Sequence, residues 1–473
     1  MFMRMLYDEG LAQATYLIGC PAAGEAIVID PLRDVDRYID TAAAEDLRIT
    51  KVTETHIHAD FLSGVRELAE RVGAEVLLSG EGGEAWQYEW LHDRIGGGSY
   101  DHRVLKDGDR IEIGAVELRT LHTPGHTPEH LSFVVRDRGA GADEPMGILT
   151  GDFVFVGDLG RPDLLETAAG HQGAMRPAAR RLHASAARLA ELPDFAQVWP
   201  GHGAGSACGK ALGGAPTSTI GYERRFNPAL ALVGDEDRFV DEILEGQPEP
   251  PLYFARMKRL NKQGPPVLGA MAAPTRLAGE TLASLDAARA TLVDVRPWEA
   301  FRDGHAAGSL SFPLIRSFCT DAGSMLDPEQ ELYLIADAAE AGLAVRKLGV
   351  VGLDRVRGWF DPSDIAGHLT ETINEVDVAT ARSMLERGEV RPLDVRRAAE
   401  LADGTIADAT HVVHTQLAAR LDEVDRDGTW LVYCRTGKRS ARAAALLQRA
   451  KRDVVNLEGG FAEWSRQVPT PSS

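Results

Sequence analysis

The chain of 473 residues is poor in cysteine, with only four thiols that stand far apart in the sequence: Cys20, Cys208, Cys319 and Cys434. They form no CxxC pair, so a disulfide framework is not expected and a reducing cytoplasm is the expected compartment. The sequence also lacks an apolar run long enough to span a bilayer, and its start has no apolar signal-peptide core. These absences favour a cytoplasmic protein without disulfides.

Positive charge is scarce as well. The 51 lysine and arginine residues are outnumbered by 71 aspartate and glutamate residues, which gives a formal net charge of −20. We therefore expect neither nucleic acid nor an anionic membrane as a partner. An anionic substrate is still compatible with this charge, because a local basic loop can outweigh the field of the whole chain.

The order of apolar segments predicts an α/β protein with about three domains, at about 150 residues per domain. Prolines and glycines are dense between Pro248 and Pro266, where we place the end of the first domain. Beyond it, Leu292-Val293-Asp294-Val295-Arg296 recurs about one hundred residues later as Leu393-Asp394-Val395-Arg396, which indicates two repeated units. The predicted domains span residues 1–268, 269–367 and 368–473.

The second repeated unit carries a cysteine at a position suited to sulfur chemistry. Cys434 follows the apolar strand end Leu431-Val432-Tyr433 and precedes a helix predicted over Ala441–Leu447. A thiol at such a turn faces backbone N–H groups and the positive end of the helix dipole. The basic side chains of the loop add positive charge, so the loop favours the thiolate, which is the nucleophilic form.

The length of this loop distinguishes between phosphate-ester chemistry and persulfide chemistry. Tyrosine-phosphatase loops place five residues between the cysteine and an arginine, but here Ser440 occupies the position of that arginine and Arg439 comes one residue early. Such a tight loop suits the outer sulfur of a persulfide better than a phosphate ester. The loop resembles the active loop of rhodanese sulfurtransferases, as does the segment Leu457–Trp464. The resemblance implies that Cys434 is the catalytic residue and that the residues after it bind the substrate: Arg435, Thr436, Gly437, Lys438 and Arg439.

The first repeated unit resembles a rhodanese domain without its active loop. Gly304-His305 and Gly308 match the entry pattern of that family, but the loop Ala336–Gly342 has no cysteine and no cation. Its two acidic side chains would repel sulfite. We therefore expect this unit to have a docking or spacer role rather than a catalytic one, and Cys319 lies outside the position of a catalytic cysteine.

Before residue 268, polar side chains of the metal-binding type follow apolar strands, as a site at the edge of a sheet requires. They are His56, His58, Asp60, His126, Asp152 and His202. In order, the segments that carry them resemble those of the metallo-β-lactamase superfamily: His56-Ile57-His58-Ala59-Asp60, Thr123-Pro124-Gly125-His126, Gly151-Asp152 and Pro200-Gly201-His202. The resemblance implies an αββα sandwich, followed by two rhodanese-like α/β domains with mainly parallel sheets.

Phe61 is where the chain departs from the dinuclear hydrolases of this superfamily, which have a histidine there that binds the second metal. Because phenylalanine cannot bind a metal, the chain resembles the single-iron branch instead, which implies one Fe(2+) per chain held by His56, His126 and Asp152. Two imidazoles and one carboxylate leave about three open positions, as in non-haem Fe(II) centres that react with O₂. The groups left to orient these ligands are His58, Asp60 and His202.

Three longer segments resemble persulfide dioxygenases fused to rhodanese domains: Thr55–Phe61, Gly160–Leu164 and Pro200–Lys210. The resemblance covers nearly the whole chain and implies that O₂ oxidises a low-molecular-weight thiol persulfide to sulfite and thiol. Sulfur transfer at Cys434 would then give thiosulfate, a route of sulfide detoxification. The resemblance also implies a homo-oligomer, either a dimer or a tetramer.

Four further residues are candidates for substrate contacts. Arg161, Arg224 and Arg225 could hold the carboxylates of the thiol carrier, and Cys208 is a possible sulfur acceptor. Two alternative functions stay open: a dinuclear zinc thioester hydrolase resembling glyoxalase II, against which Phe61 argues, and a sulfur carrier or sensor with a vestigial metal site. The sequence does not choose among glutathione, coenzyme A, cysteine and other thiol carriers.

Overall fold

The computed structural model describes residues 1–167, 170 and 172–468. The chain divides into two compact units, Met1–Met271 and Ala272–Ser473. The end of the predicted range 368–473, residues 469–473, lies outside the described part of the chain. Among the described helices, none combines the length and apolar character needed to cross a membrane.

Two six-stranded sheets form the centre of the N-terminal unit. The first contains β1 (Phe2–Asp8), β2 (Gln13–Cys20), β3 (Glu25–Ile29), β4 (Arg48–Thr53), β5 (Glu75–Ser79) and β6 (His102–Leu105). The second contains β7 (Arg110–Ile113), β8 (Val116–His122), β9 (Leu131–Asp137), β10 (Gly147–Gly151), β11 (Gln197–Pro200) and β12 (Ser218–Thr219). In each sheet the strands are neighbours in chain order. The first sheet is antiparallel from β1 to β3 and parallel from β3 to β6.

Helices cover the outer faces of both sheets. The helices of the N-terminal unit are α1 (Asp36–Ala44), α2 (Val65–Val72), α3 (Leu164–Thr167), α4 (Met175–Ala187), α5 (Ile220–Phe226), α6 (Glu236–Leu244) and α7 (Phe254–Gln263). Tyr38 of α1 and Leu68 of α2 pack on the first sheet, whereas Leu182 of α4 and Phe239 of α6 pack on the second. The layers are therefore helix, sheet, sheet and helix, the αββα sandwich expected from the sequence.

The strand β2 shows why both faces of a sheet are buried here. Leu17 packs into the core beneath α1 and α2, while Tyr16 and Ile18 pack into the core between the two sheets. Successive side chains of a strand point to opposite faces, so a strand covered on both sides has a nearly continuous apolar sequence. This continuous run is the feature that marks the strand in the sequence.

Two parallel sheets dominate the C-terminal unit. Its strands are β13 (Ala290–Asp294), β14 (His305–Ala306), β15 (Leu310–Ser311), β16 (Glu331–Ile335), β17 (Val356–Phe360), β18 (Leu369–Glu371), β19 (Asn374–Val376), β20 (Val390–Asp394), β21 (Thr410–His411), β22 (Thr429–Tyr433) and β23 (Asp453–Leu457). Its helices are α8 (Trp298–Asp303), α9 (Phe318–Met325), α10 (Ala338–Val350), α11 (Val378–Glu386), α12 (Lys438–Arg449) and α13 (Gly460–Gln467). The sheet orders are β15-β13-β16-β17 and β19-β23-β22-β20-β21, with β14 and β18 as a separate pair.

The sequence repeat corresponds to a repeated local structure in these two sheets. Asp294 ends β13 and pairs with Arg296, with 2.6 Å between Oδ2 and Nη2. Asp394 ends β20 and pairs with Arg396 at the same distance of 2.6 Å. The aspartate of each repeat thus fixes the turn that follows its strand.

Candidate metal centre and the Cys434 loop

The candidate metal ligands follow strands of both sheets. His56 comes three residues after β4, His126 lies in the turn after β8, and Asp152 directly follows β10. Gly151 has a left-handed backbone with φ +50°, and a Cβ atom there would lie 2.5 Å from Thr55 Oγ1. Glycine therefore permits both the turn and the close approach that bring Asp152 beside the segment with His56.

The three candidate ligands offer their metal-binding atoms to one point. Nε2 of His126 is 3.6 Å from Oδ2 of Asp152, Nε2 of His56 is 4.0 Å from the same oxygen, and one atom from each residue lies within 4.8 Å of the others. The opposite ring nitrogens are engaged, because Nδ1 of His126 donates to the carbonyl oxygen of Arg161 at 3.1 Å and Nδ1 of His56 contacts Thr55 Oγ1 at 2.9 Å. Oδ2 of Asp152 is buried without a hydrogen-bond partner among the described residues.

The protonation of these groups suits a metal ligand set. Burial, together with neighbouring histidines, lowers the pKa of His56 well below its ordinary value. Burial also lowers the pKa of His126, although the charge of Asp152 opposes it. Burial alone would raise the pKa of Asp152, but the charge and hydrogen bond of His202 lower it below its ordinary value. Two neutral imidazoles and one carboxylate are the forms that bind a metal ion, so these residues fit the single ion expected from the sequence.

His202 and His58 belong to the groups predicted to orient the ligands. His202 lies between two carboxylates: its Nδ1 donates to Oδ1 of Asp152 at 2.8 Å and its Nε2 donates to Oδ2 of Asp60 at 2.9 Å. Burial opposes a charge on this ring, but the two carboxylates outweigh it and raise the pKa of His202 well above its ordinary value. Nε2 of His58 contacts Oδ1 of Asp30 at 3.0 Å instead.

The Cys434 loop lies at the carboxyl end of β22. Cys434 directly follows this strand, and α12 begins at Lys438, three residues earlier than the sequence predicts. Gly437 has a left-handed φ of +86°, which lets the chain turn into the helix. The loop is held to the segment that resembles the end of a rhodanese, because the backbone N–H of Phe461 donates to the carbonyl oxygen of Cys434 at 2.7 Å.

The basic residues of this loop have unequal surroundings. Arg439 forms a bidentate ion pair with Glu400, with N–O distances of 2.6 and 2.7 Å. It also interacts electrostatically with Cys434. The guanidinium of Arg435 is exposed and 3.8 Å from Asp403, while Lys438 is exposed. Arg439 is thus held close to the thiol, and its positive charge is partly balanced by a glutamate.

Two family models match this chain. The model for the metallo-beta-lactamase superfamily matches residues 8–202, and the model for the rhodanese-like domain matches residues 377–467. A solved structure described as a metallo-beta-lactamase from Staphylococcus aureus subsp. aureus COL is 39% identical, with a TM-score of 0.67, and the match covers 76% of this chain and 98% of that one. The chain belongs to the metallo-beta-lactamase superfamily. It combines the fold of that superfamily with a rhodanese-like domain.

The relatives of this superfamily member include two kinds of enzyme. A hydroxyacylglutathione hydrolase of Polaromonas sp. is 30% identical, over 52% of this chain and 94% of that protein. The persulfide dioxygenase ETHE1 of Bos taurus is 27% identical, over 50% of this chain and 78% of that protein. The chain spans only 54% of the length of another relative, a beta-lactamase hydrolase-like protein of Agrobacterium fabrum. These similarities establish the family, but they do not decide between hydrolysis and oxidation.

Three residues that the sequence interpretation missed complete the polar surroundings of this metallo-beta-lactamase site. Oδ1 of Asp30 accepts from the backbone N–H of Thr55 at 2.6 Å, and Oε1 of Glu129 accepts from the backbone N–H of Ile57 at 2.8 Å. Nε2 of His130 accepts from the backbone N–H of Asp152 at 3.1 Å. Asp30 was detectable as a charged residue at the end of an apolar strand, and the other two follow His126 within four positions.

Phe61 is the residue that bears on binding of a second metal, and Cys208 is the residue that bears on sulfur transfer. Phe61 is fully buried, and its ring stacks on that of His58 with 4.2 Å between centroids. Cys208 lies close to Asp60 and His202, with one ligand atom from each of the three within 4.8 Å of the others. Burial, followed by the charges of Asp60 and Asp152, raises the pKa of Cys208 well above its ordinary value. Burial of the thiol thus favours its neutral form, and the role of Cys208 as a sulfur acceptor stays a prediction.

The three arginines expected to bind substrate carboxylates have other partners. Arg161 is fully buried, pairs with Asp163 at 2.7 Å and donates to the carbonyl oxygens of Ala207 and Pro248 at 2.9 and 2.6 Å. This placement indicates a structural role for Arg161 and argues against the predicted substrate contact. Arg224 is exposed and pairs with Asp194 at 2.8 Å, and the guanidinium of the neighbouring Arg225 lies over the ring of Phe226.

Proposed function

We propose that this chain is a persulfide dioxygenase with a sulfurtransferase site. In this proposal O₂ and a water molecule convert a low-molecular-weight thiol persulfide to sulfite and thiol at a mononuclear non-haem iron, and Cys434 then transfers sulfur to give thiosulfate. The observation that carries the proposal is that His56, His126 and Asp152 converge on one point while Phe61 stands where a second-metal histidine would be. The persulfide dioxygenase relative supports it.

The residues that would hold the iron are His56, His126 and Asp152. When bound, a mononuclear Fe(II) centre of this ligand type supplies O₂ activation with open coordination positions. Because only Asp152 among the three ligands is anionic, the ligand set leaves net positive charge at the centre, which favours a persulfide anion. The burial of all three side chains strengthens this attraction by keeping bulk water away.

The polar network around the ligands fixes their directions. His202 holds Oδ1 of Asp152 and so leaves Oδ2 aimed at the two imidazoles. The carbonyl oxygen of Arg161 holds the ring of His126 through Nδ1, which leaves Nε2 unprotonated in the neutral ring. Outer partners of this kind typically change metal affinity or activity by about 10–100-fold.

Sulfur transfer at Cys434 requires no external oxidant. A sulfite ion attacks the outer sulfur of a Cys434 persulfide, a new sulfur–sulfur bond forms in thiosulfate, and the bond to Cys434 breaks with its electron pair left on the cysteine sulfur. Arg439 is placed to attract the anions, because it interacts with Cys434. The first turn of α12 points its backbone N–H groups the same way.

The domain ranges in this proposal are 1–268 for the dioxygenase, 269–367 for a rhodanese-like domain without a catalytic cysteine, and 368–473 for the active rhodanese. The two parallel sheets with matching Asp294–Arg296 and Asp394–Arg396 pairs support the two last ranges. A cytoplasmic location is part of the proposal, and it agrees with four buried cysteines that form no disulfide in the described structure. We also propose a homo-oligomer.

A second candidate is a dinuclear zinc thioester hydrolase. The hydroxyacylglutathione hydrolase relative favours it, and Asp60, His202 and Cys208 form a second group of ligand-type atoms. Against it, Nδ1 and Nε2 of His202 are both used by carboxylates, and Phe61 offers no ligand atom.

An oxygen electrode separates the two candidates. The protein is incubated separately with the persulfides of glutathione, coenzyme A and cysteine while O₂ consumption is recorded. Sulfite and thiosulfate are then measured in the same samples. We expect O₂ consumption with at least one persulfide and thiosulfate as the final product. Hydrolysis of a glutathione thioester without any persulfide-dependent O₂ consumption would favour the hydrolase instead.

A further inference from the structure

The C-terminal unit contains a cavity of about 540 Å³ at the carboxyl ends of strands from both of its parallel sheets. Ser311 ends β15 and Glu340 lies in the first turn of α10 after β16, while Thr436, Gly437 and Lys438 follow β22. Ligands of open α/β sheets bind outside the carboxyl ends of the strands. The volume falls within the range of about 300–1,000 Å³ found for small-molecule sites and is far larger than a sulfite or thiosulfate ion requires.

The charged groups that line this cavity have both signs. Arg302 is neutralised by Glu375 at 2.9 Å, and Arg442 by Asp321 at 2.6 Å. The remaining charges are the ammonium of Lys438 and the carboxylates of Glu340, Glu299 and Glu458, for which no ion pair exists among the described residues. A lone oxyanion would meet more carboxylates than cations here, so the charges of this cavity favour a ligand that also carries a positive group over sulfite or thiosulfate alone.

A buried hydroxyl indicates that the cavity takes a polar ligand. Ser311 is 1% exposed, and within the described part of the chain its Oγ has no hydrogen-bond partner. A buried hydroxyl without a partner costs free energy, which a ligand in the cavity would recover. Trp298, Leu314 and Ile315 provide apolar wall beside these polar groups.

We infer that this cavity binds a zwitterionic aminothiol and its persulfide, the donor that loads Cys434. The ammonium of the ligand lies against Glu340, its carboxylate against Lys438, and its sulfur toward Thr436 and Gly437 of the active loop. The inference rests on the proposed sulfur transfer and gives the domain without a catalytic cysteine a role in substrate binding. In the loading step the Cys434 thiolate attacks the outer sulfur of the donor, the donor's sulfur–sulfur bond breaks, and its electron pair leaves with the aminothiol as thiolate.

The test compares sulfur donors that differ in the ammonium group. The full chain, without O₂, is loaded from cysteine persulfide, from N-acetylcysteine persulfide and from thiosulfate, and the mass gain of one sulfur atom at Cys434 is followed. Loss of one charge-assisted contact corresponds to about a tenfold change, so we expect cysteine persulfide to half-saturate at about tenfold lower concentration than its N-acetyl form. Glu340→Gln should remove this preference while Cys434 is still loaded from thiosulfate. The control Glu386→Gln, on the exposed side of α11 where Glu386 pairs with Arg382, should keep the preference.

Binding measured without sulfur transfer separates this inference from the proposed function. In Cys434→Ser, titration calorimetry with L-cysteine should show tighter binding than with N-acetyl-L-cysteine, and Glu340→Gln in that background should abolish the difference. Equal binding of the two thiols, or equal loading from their persulfides, would overturn the inference while thiosulfate loading still supports Cys434 as the sulfur carrier. Preferential binding of L-cysteine without loading of Cys434 from any donor would support the cavity and overturn the proposed sulfur transfer.

Discussion

His202 determines which oxygen of Asp152 faces the candidate metal centre. Its Nδ1 holds Oδ1 of Asp152 at 2.8 Å, and Oδ2 is left without a hydrogen bond in the described structure, 3.6 Å from Nε2 of His126. A carboxylate that rotates freely would lose this preorganisation. In the proposed metal centre, His202 therefore acts through the ligand that it orients.

Replacing His202 with asparagine should weaken metal binding without removing a ligand. We expect affinity to fall by about 10–100-fold, seen as earlier loss of the metal when the protein is dialysed against increasing chelator. His92→Asn is the control, because His92 is exposed and contacts Ser99. Unchanged metal retention in His202→Asn would show that the Asp152 orientation does not depend on this hydrogen bond.

Phe61→His should add a ligand for a second metal. The new imidazole would directly follow Asp60 in the chain, and Asp60 already forms a group of ligand-type atoms with His202 and Cys208. Metal analysis of the variant produced in medium with zinc should therefore show the stoichiometry rising from about one ion toward two per chain. Phe61→Leu removes the same ring that stacks on His58 but adds no donor atom, and it should stay at one ion. If both variants gave the same stoichiometry as the parent, Phe61 would not be the reason for a single-metal site.

Arg161→Met should cost stability rather than substrate affinity. The change leaves the buried carboxylate of Asp163 unpaired, and breaking a buried pair in this way typically costs about 3–5 kcal/mol. Chemical denaturation should show this loss in the transition of the N-terminal unit. The exposed Arg224 provides the comparison: Arg224→Met should change stability by no more than about 0.5 kcal/mol. A raised KM for the persulfide with unchanged stability in Arg161→Met would restore the substrate-binding role.

Cys434→Ser should separate the two reactions. The proposed metal ligands lie in the N-terminal unit and Cys434 lies in the C-terminal unit, so persulfide-dependent O₂ consumption should continue while sulfite accumulates in place of thiosulfate. Cys319→Ser, which changes another buried thiol of the same unit, should still form thiosulfate. Equal thiosulfate yields from both variants would exclude Cys434 as the sulfur carrier.

The sequence was most informative where local pattern determines structure. Buried strands are apolar on both faces, so the short runs of β10 and β11 could be found together with the polar residues that follow them. Gly437 and the short loop after Cys434 were also visible, because a turn from strand to helix has few solutions. The predicted αββα order follows from these elements and from the resemblance of their motifs.

Tertiary contacts between distant segments could not be foreseen in the same way. Arg161 was expected to face substrate, but its acceptors Ala207 and Pro248 stand 46 and 87 residues further along the chain. Asp30 lies 28 residues before its partner His58, and no periodicity connects the two. A single sequence shows that such side chains are polar, but only the folded chain shows which groups satisfy them.

Metal analysis of the chain purified without added metal distinguishes a single-iron centre from a dinuclear zinc centre. The convergence of His56, His126 and Asp152 predicts about one iron atom per chain, lost together with persulfide-dependent O₂ consumption when Asp152 is replaced by asparagine. Two zinc ions per chain in the parent protein would contradict the account.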